Sequence, residues 1–443
     1  MVTFAPDALI IEKLVAAKAL TQLNLMSLFA RACMGDYESG AFELGKTVSF
    51  RRPRYSDAQE YDPRTGNGVV LQDPGYVEGE LVLEKLFTNG FPIYSSDYNQ
   101  DTYTQEYSTQ IAFSLTTVFD RYLYNKFRLM THAPTGAVAY AANAPIAMVA
   151  NETPTGELRD FDRMLLIHAD TTLERENVPP GGRVAILSSS AKGAYIGEAV
   201  PATYQASNDE PLGARLLQQG LPIGAFVDRH GFAVGGSNVV GSQLAVADLD
   251  SSASNQPDLA ISLAEPDDDN GGSPFFTKGD YATLTSLGAI VLTLGASGNL
   301  QNVAVGHIAR IGATGATAKA YGIVLRVDVA GKRVWVVPFS PKGLQLSAVQ
   351  IDTATDRFSI PNIPSISVAF HQETVIYATR QMKPPSGGSG AIAVTQVAPQ
   401  TNIVMQIWRG SYDITRFREG QMATLLTGAK LTDYRKCCLM LSL

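Results

Sequence analysis

Residues 93–133 contain neither Gly nor Pro, a run of 41 residues in a chain that carries 39 Gly and 23 Pro. Pro92 closes the run on one side and Pro134 on the other. Ser95, Ser96 and Asp97 offer helix N-caps just inside its start. Tyr103, Tyr107, Ile111, Leu115, Val118, Tyr122 and Phe127 then recur at mostly three- and four-residue steps, which marks one face of a helix. Asp101, Thr102, Gln105, Thr109 and Gln110 fill the other side. The pattern predicts a single helix over residues 97–129, about 50 Å long at 1.5 Å per residue. The mean helix of a globular protein is about 11–12 residues. A helix of this length is either a long core element or a coiled-coil strand. No heptad is sustained, so the coiled coil is the weaker of the two.

A chain of 443 residues is too long for one ordinary core, which predicts two or three domains. Charged residues make up 17% and the net charge is −7. That balance argues against a general nucleic-acid binder, which would show a clustered basic excess, but not against a protein that encloses nucleic acid without gripping it. The cysteines are Cys33, Cys437 and Cys438. None sits at zinc-ligand or C-x-x-C spacing, so neither a metal site nor a disulfide framework is expected, and the thiols read as those of a protein made in a reducing cytoplasm. The opening residues lack the pattern of a secretory signal, and no apolar run reaches 18 residues.

Residues 1–45 read as a helical arm, with Asp7 capping a first helix and a short second one over residues 25–33 ending at Gly35. Residues 46–55 and 77–91 alternate like strands, and Pro63, Gly66, Gly68, Pro74 and Gly75 lie between them. Together they predict an extended β-hairpin. Two strands bury little by themselves, so such a hairpin needs a partner surface. Arg51, Arg52 and Arg54 on its first arm are candidates for that contact, or are simply solvated. After the long helix, residues 161–176 read as an amphipathic helix, 183–188 as a buried strand and 191–199 as a further helix, a mixed α+β layer.

From residue 228 to 345 the texture changes to short Gly-spaced strands, at 243–247, 258–263, 289–294, 303–311, 322–329 and 333–337. That spacing predicts a small barrel or sandwich inserted into the α+β domain. Residues 228–280 hold nine Asp or Glu against two Lys or Arg. Glu265, Asp267, Asp268 and Asp269 there form a solvated loop, a docking loop for a neighbour's basic patch, or a cation site, the last disfavoured by the absence of calcium-loop spacing. The α+β domain then resumes with strands over 365–371, 391–397, 403–408, 412–417 and 437–441 and a helix over 371–382.

No H-E-x-x-H, phosphate-cradling loop or dinucleotide fingerprint occurs. The Gly-rich residues 312–322 lie among strands and read as a turn. His132, His168, His230, His307 and His371 are scattered with no motif around them and read as structural or surface residues. No catalytic, cofactor-binding or metal-binding residue is assigned, and no cofactor is expected.

The order of parts, from helical arm through hairpin and long helix to an interrupted α+β domain, resembles the major capsid proteins of tailed double-stranded DNA bacteriophages with the Hong Kong 97 fold. It is most similar to the short-tailed-phage (podovirus) coat proteins that carry an inserted telokin-like β-barrel. Residues 45–50 and 81–99 carry the resemblance at the hairpin and its passage into the helix. Residues 184–192 and 369–371 carry it in the axial domain, and 408–430 in the closing strands, which end in a Leu-Thr-Gly-Ala-Lys turn. The resemblance implies an α+β fold in five parts: an N-terminal arm (1–45), an extended loop (46–95), a peripheral domain with the spine helix (96–149), an axial domain with closing strands (150–227 and 346–443), and an inserted β-barrel (228–345).

The resemblance further implies a structural role. Copies would self-assemble as hexamers and pentamers of an icosahedral shell, located in the virion capsid and made in the bacterial host cytoplasm. Its partners would be the protein itself, a separate scaffolding protein, a portal protein, packaged double-stranded DNA held by weak non-specific contact, and, in some relatives, a decoration protein; no membrane is involved. No lysine lies between Lys46 and Lys85, so cross-linking of the kind some relatives make through a hairpin lysine is not expected. The alternatives are the shell of a cargo-enclosing nanocompartment and, from another class, a β-rich tail or carbohydrate-binding protein, against which the long helix speaks.

Overall fold

A computed structural model of the chain describes residues 17–21, 23, 27–36, 41–42, 44–53, 76–94, 101–128, 130–132, 138–140, 146–203, 227–229, 231–246, 259–263, 289–294, 299–347, 350–352, 355–382, 392–397, 402–413 and 418–443. It is a mixed α+β protein with many strands and few helices. Its helices include α1 (Leu28–Ala32), α2 (Asp101–Phe127), α3 (Arg163–Arg175) and α4 (Ser189–Thr203), and residues 17–21 and 23 are also helical. The chain divides into two compact units. One comprises residues 1–21, 35–115 and 377–430, and the other residues 22–34, 116–376 and 431–443.

Most of the first unit's sheet is built from late strands. Its order is Met34–Asp36, Val375–Met382, Arg418–Leu431, Val404–Asp413 and Ile392–Val397; Ala41–Phe42 also pairs with Val375–Met382, and Lys85–Tyr94 with Arg418–Leu431. The return strand of the hairpin is thus shorter than expected. It spans Tyr76–Val82, and after Leu83 and Glu84 the chain changes partners and joins this sheet. Pro92 is accommodated because Lys85–Tyr94 pairs on one side only. Residues 371–382, expected to be helical, form the end of one strand and all of Val375–Met382. Val375–Arg380 are buried on both faces, so the alternation that betrays a strand is missing. The expected turn at 426–430 lies inside the 14-residue strand Arg418–Leu431.

The second unit contains a six-stranded sheet in the order Val227–Arg229, Phe232–Gly236, Arg183–Leu187, Ser365–His371, Cys437–Ser442 and Ala147–Ala150. Leu165, Leu166, Ala169 and Leu173 of α3 pack on one face, against Ala185, Leu187, Ala369, Cys438 and Met440. On the other face Phe370 meets Phe127 of α2 at 4.5 Å and Phe29 of α1 at 6.5 Å, and the Tyr124 hydroxyl donates to the Ile366 carbonyl at 2.8 Å. The same unit holds a closed six-stranded barrel, Leu259–Leu263, Ile290–Leu294, Arg333–Val336, Ala320–Asp328, Ile308–Gly312 and Arg357–Ser359 in order around it. The barrel starts and ends later than the expected 228–345: Val227–Arg229 and Phe232–Gly236 belong to the flat sheet, whereas Arg357–Ser359 closes the barrel. Of the expected strand at 243–247, residues 243–246 form no strand, only a bridge from Gln243 to Ile363.

The long helix α2 is 27 residues, about 40 Å; residues 97–100 and 129 of the expected 97–129 span lie outside the described residues. Its expected caps Ser95, Ser96 and Asp97 lie outside the described residues. Its buried positions, among the described side chains, are Ser108, Ile111, Ala112 and Leu115 in the first unit, and Thr116, Phe119, Asp120, Tyr122, Leu123, Tyr124 and Phe127 in the second. Ile111, Leu115 and Tyr122, expected on the apolar face, are buried. Val118 is 42% exposed, whereas Phe119 beside it is buried. The side chain of Tyr107 lies outside the described residues.

Candidate assembly elements

The hairpin is a two-stranded ribbon in the first unit. Thr47–Pro53 runs antiparallel to Tyr76–Val82 over seven residue pairs, from Thr47 opposite Val82 to Pro53 opposite Tyr76. Among the described residues neither strand pairs with a third. Its root is well held. Gly45 N–H donates to the Leu83 carbonyl at 2.8 Å, and Leu83 N–H to the Lys46 carbonyl at 2.9 Å. Val48, Leu81 and Leu83 are buried there, whereas Lys46, Thr47 and Ser49 are exposed. Gly428 passes so close that a Cβ on it would overlap the Val82 carbonyl oxygen. Lys430 Nζ donates to the Glu80 carbonyl at 3.1 Å.

Arg51 and Arg52 lie in the ribbon, opposite Glu78 and Val77 in register; their side chains, and all of Arg54, fall outside the described residues. Glu265, Asp267, Asp268 and Asp269 also fall outside them. The basic and acidic candidates are therefore not brought together by anything described.

The barrel is fastened within its own unit by a carboxylate that no sequence motif singles out. Ala150 N–H donates to the Pro341 carbonyl at 2.9 Å. Two residues on, Glu152 accepts the Tyr321 hydroxyl and the Ala318 N–H, the latter at 2.5 Å, with Arg310 Nε 3.8 Å away. Burial and the Glu152 charge push the Tyr321 phenol well above its usual range, so it remains a donor at any physiological pH. Gly156 (φ 84°) turns the chain back where a side chain would overlap the Ala316 carbonyl and Arg310.

Other polar groups serve the local architecture. Arg183 donates to Asp170 and to the Val178 and Pro179 carbonyls, closing the turn between α3 and the strand it opens. Ser188 caps α4 by accepting the Ala191 N–H at 3.1 Å, and shares a 2.6 Å hydrogen bond with Ser365. His371 holds the Gly181 carbonyl at 2.9 Å, and burial lowers its pKa, as it does those of His168 and His307. The three cysteines are free and buried, and burial holds their thiols protonated. Among the described residues no cluster of His, Cys, Asp or Glu could hold a metal ion, and no helix is long and apolar enough to cross a membrane.

A fourth feature, also missed by the sequence reading, joins the arm to the long helix. Asp120 on α2, only 2% exposed, accepts the Ser27 hydroxyl at 2.5 Å and the Leu28 N–H at 3.1 Å. The signal for it was present, a carboxylate beside Phe119 and one turn before Tyr124, but a single-stripe reading of the helix passes over it.

No family model matches the chain, and no curated protein matches it. Solved structures do. A structure from Mycobacterium phage Che8 is 11% identical, covering 94% of this chain and 90% of its own, at a TM-score of 0.39. The capsid structure of the cyanophage P-SCSP1u is 9% identical over 94% of this chain and 88% of its own, at 0.41. The capsid of Ralstonia phage GP4 is 8% identical over 93% of this chain and 87% of its own, at 0.38.

Proposed function

We propose that this chain is the major capsid protein of a tailed double-stranded DNA phage, of the short-tailed type with an inserted barrel, and that it builds a shell and catalyses no reaction. The observation that carries the reading is the ribbon. Seven residue pairs, about 23 Å of β-structure, have no third strand among the described residues and bury side chains only at the root among those described. Unsatisfied edges of this length are a liability in a monomer and a pairing surface in an assembly. A second copy is the partner that meets the need without any further gene product, and repetition of that contact around a ring gives hexamers and pentamers.

In this reading Arg51, Arg52 and Arg54 of the ribbon reach across to an acidic surface of the next subunit, with Glu265, Asp267, Asp268 and Asp269 as one candidate. Residues 1–45 serve as the arm, 96–149 as the peripheral domain, 150–227 and 346–443 as the axial domain, and the barrel as the insertion. The net charge of −7 suits a wall that packaged DNA slides past. A scaffolding protein, a portal and, in some particles, a decoration protein complete the partners, with assembly in the host cytoplasm and residence in the virion. Electron microscopy of the purified protein, with and without co-expressed scaffold, tests this. Closed shells of uniform diameter are expected. Monomers or small oligomers under every assembly condition would overturn the reading.

A further inference from the structure

Arg128 follows α2 directly and is only 7% exposed. A guanidinium carries five N–H donors and a charge that no ordinary pH removes. Buried, it needs acceptors and a counter-charge. Two other buried arginines of the same unit have theirs: Arg183 has Asp170, and Arg310 has Glu152. Among the described residues no carboxylate pairs with Arg128. Its Nη1 meets the Ser242 carbonyl at 3.4 Å, longer than a usual hydrogen bond. Its Nε is buried with no acceptor. The neighbouring Tyr124 is neutral, its phenol pushed up to about 12 by burial, and its hydroxyl is donated to Ile366. The carbonyl end of α2 offsets only part of the charge.

Two more segments converge on this guanidinium. A Cβ on Gly241 would stand 3.3 Å from the Tyr124 ring and 3.4 Å from Arg128 Nη1, so the chain passes close over both. Gln243 then accepts the Ile308 N–H at 2.7 Å and donates to the Ile308 carbonyl at 2.8 Å, which ties this passage to the start of a barrel strand. His307 lies just before that strand, within reach of the Arg128 charge. Its Nδ1 accepts the Ala304 N–H at 3.2 Å, so the neutral ring carries its proton on Nε2 and keeps a donor there. Burial and the Arg128 charge both hold that ring neutral. Ser242 and Ala304 are exposed and His307 is half-buried, so the cluster opens to solvent on that side.

We propose that Arg128 and His307 form a site for a phosphate group, walled by Tyr124, Gly241 and Ser242, which supplies the negative charge that the buried guanidinium lacks.

The donor set selects the ligand. A guanidinium fork takes two oxygens of an oxyanion side by side. A carboxylate has no oxygen beyond those two, whereas a phosphate has others left for the His307 Nε2–H. The same chemistry is offered by the free ion and by a nucleic-acid backbone. The inference does not rest on the shell reading, since it concerns one subunit.

Isothermal titration of inorganic phosphate into the purified full-length protein, with chloride balancing the ionic strength, tests it. Saturable binding is expected, weakened at least about tenfold by Arg128→Met and at least about threefold by His307→Leu. Phosphate should also raise the midpoint of thermal unfolding of the wild type and leave that of Arg128→Met where it was. A short DNA duplex that displaces phosphate identifies a backbone phosphate as the occupant, and failure to displace it identifies the free ion. Absence of saturable phosphate binding would overturn the site, as would affinity unchanged in both variants. Should Arg128→Met not fold, His307→Leu decides, and undiminished phosphate affinity in that variant sinks the proposal.

Discussion

Barrel and ribbon are both antiparallel β-structure, and they solve the edge problem in opposite ways. In the barrel every strand pairs on both sides, and Leu292, Val324, Val334, Val336 and Phe358 fill the inside. The ribbon's strands each pair once, and its described burial is confined to Val48 and Leu81 near the root. A closed sheet carries its own reason to fold. An open one borrows that reason from a surface, first from Gly428 and its neighbours, then from whatever meets the outer residues. On the proposed reading, the barrel is a matter of subunit stability and the ribbon one of association.

Substitutions can break or sharpen that contrast. The largest effect is expected from Leu115→Pro in α2, which removes a backbone donor and kinks a helix contributing to both units. A loss of at least about 3 kcal/mol is expected, with no soluble folded subunit by circular dichroism and no particles. Next comes Phe358→Ala in the barrel core, fully buried, which should cost about 3–5 kcal/mol in urea unfolding of the free subunit. Gly428→Ala at the ribbon root sets a Cβ against a backbone carbonyl, and should cost about 1–3 kcal/mol. Smallest for the subunit is the charge reversal Arg51→Glu with Arg52→Glu, expected to shift stability by under about 0.5 kcal/mol while cutting shell yield by microscopy. If this last pair destabilised the subunit as much as Phe358→Ala, the contrast between the two regions would collapse.

Much of the architecture was legible because its signals are local. The absence of Gly and Pro announced α2, alternation announced the ribbon, and Gly-spaced apolar runs announced the barrel strands. What escaped depends on partners distant in sequence. Val375–Met382 lies in the interior of a sheet, where burial of both faces erases the period of two. Glu84 gives no hint that the chain leaves the ribbon for Arg418–Leu431 at that point. Val118 is apolar and in phase with the expected stripe, but α2 buries Phe119 at that level and leaves Val118 42% exposed. Among the candidate contact residues the sequence offered clusters of charge. The structure adds buried ones, Asp120 held by Ser27 and Glu152 held by Tyr321, whose partners lie 93 and 169 residues away. No spacing rule reaches that far.

The position of Cys437–Ser442 bears on the order in which the molecule comes into being. This strand lies inside the six-stranded sheet, between Ser365–His371 and Ala147–Ala150. Until the ribosome has released it, Ala147–Ala150 has no neighbour in that sheet, and the apolar face of α3 lacks Cys438 and Met440 beneath it. The barrel, drawn from one continuous stretch, can close about 80 residues earlier in synthesis. A subunit lacking Cys437–Ser442 would leave both of those surfaces uncovered, so synthesis of this strand gates the moment at which the six-stranded sheet can be complete.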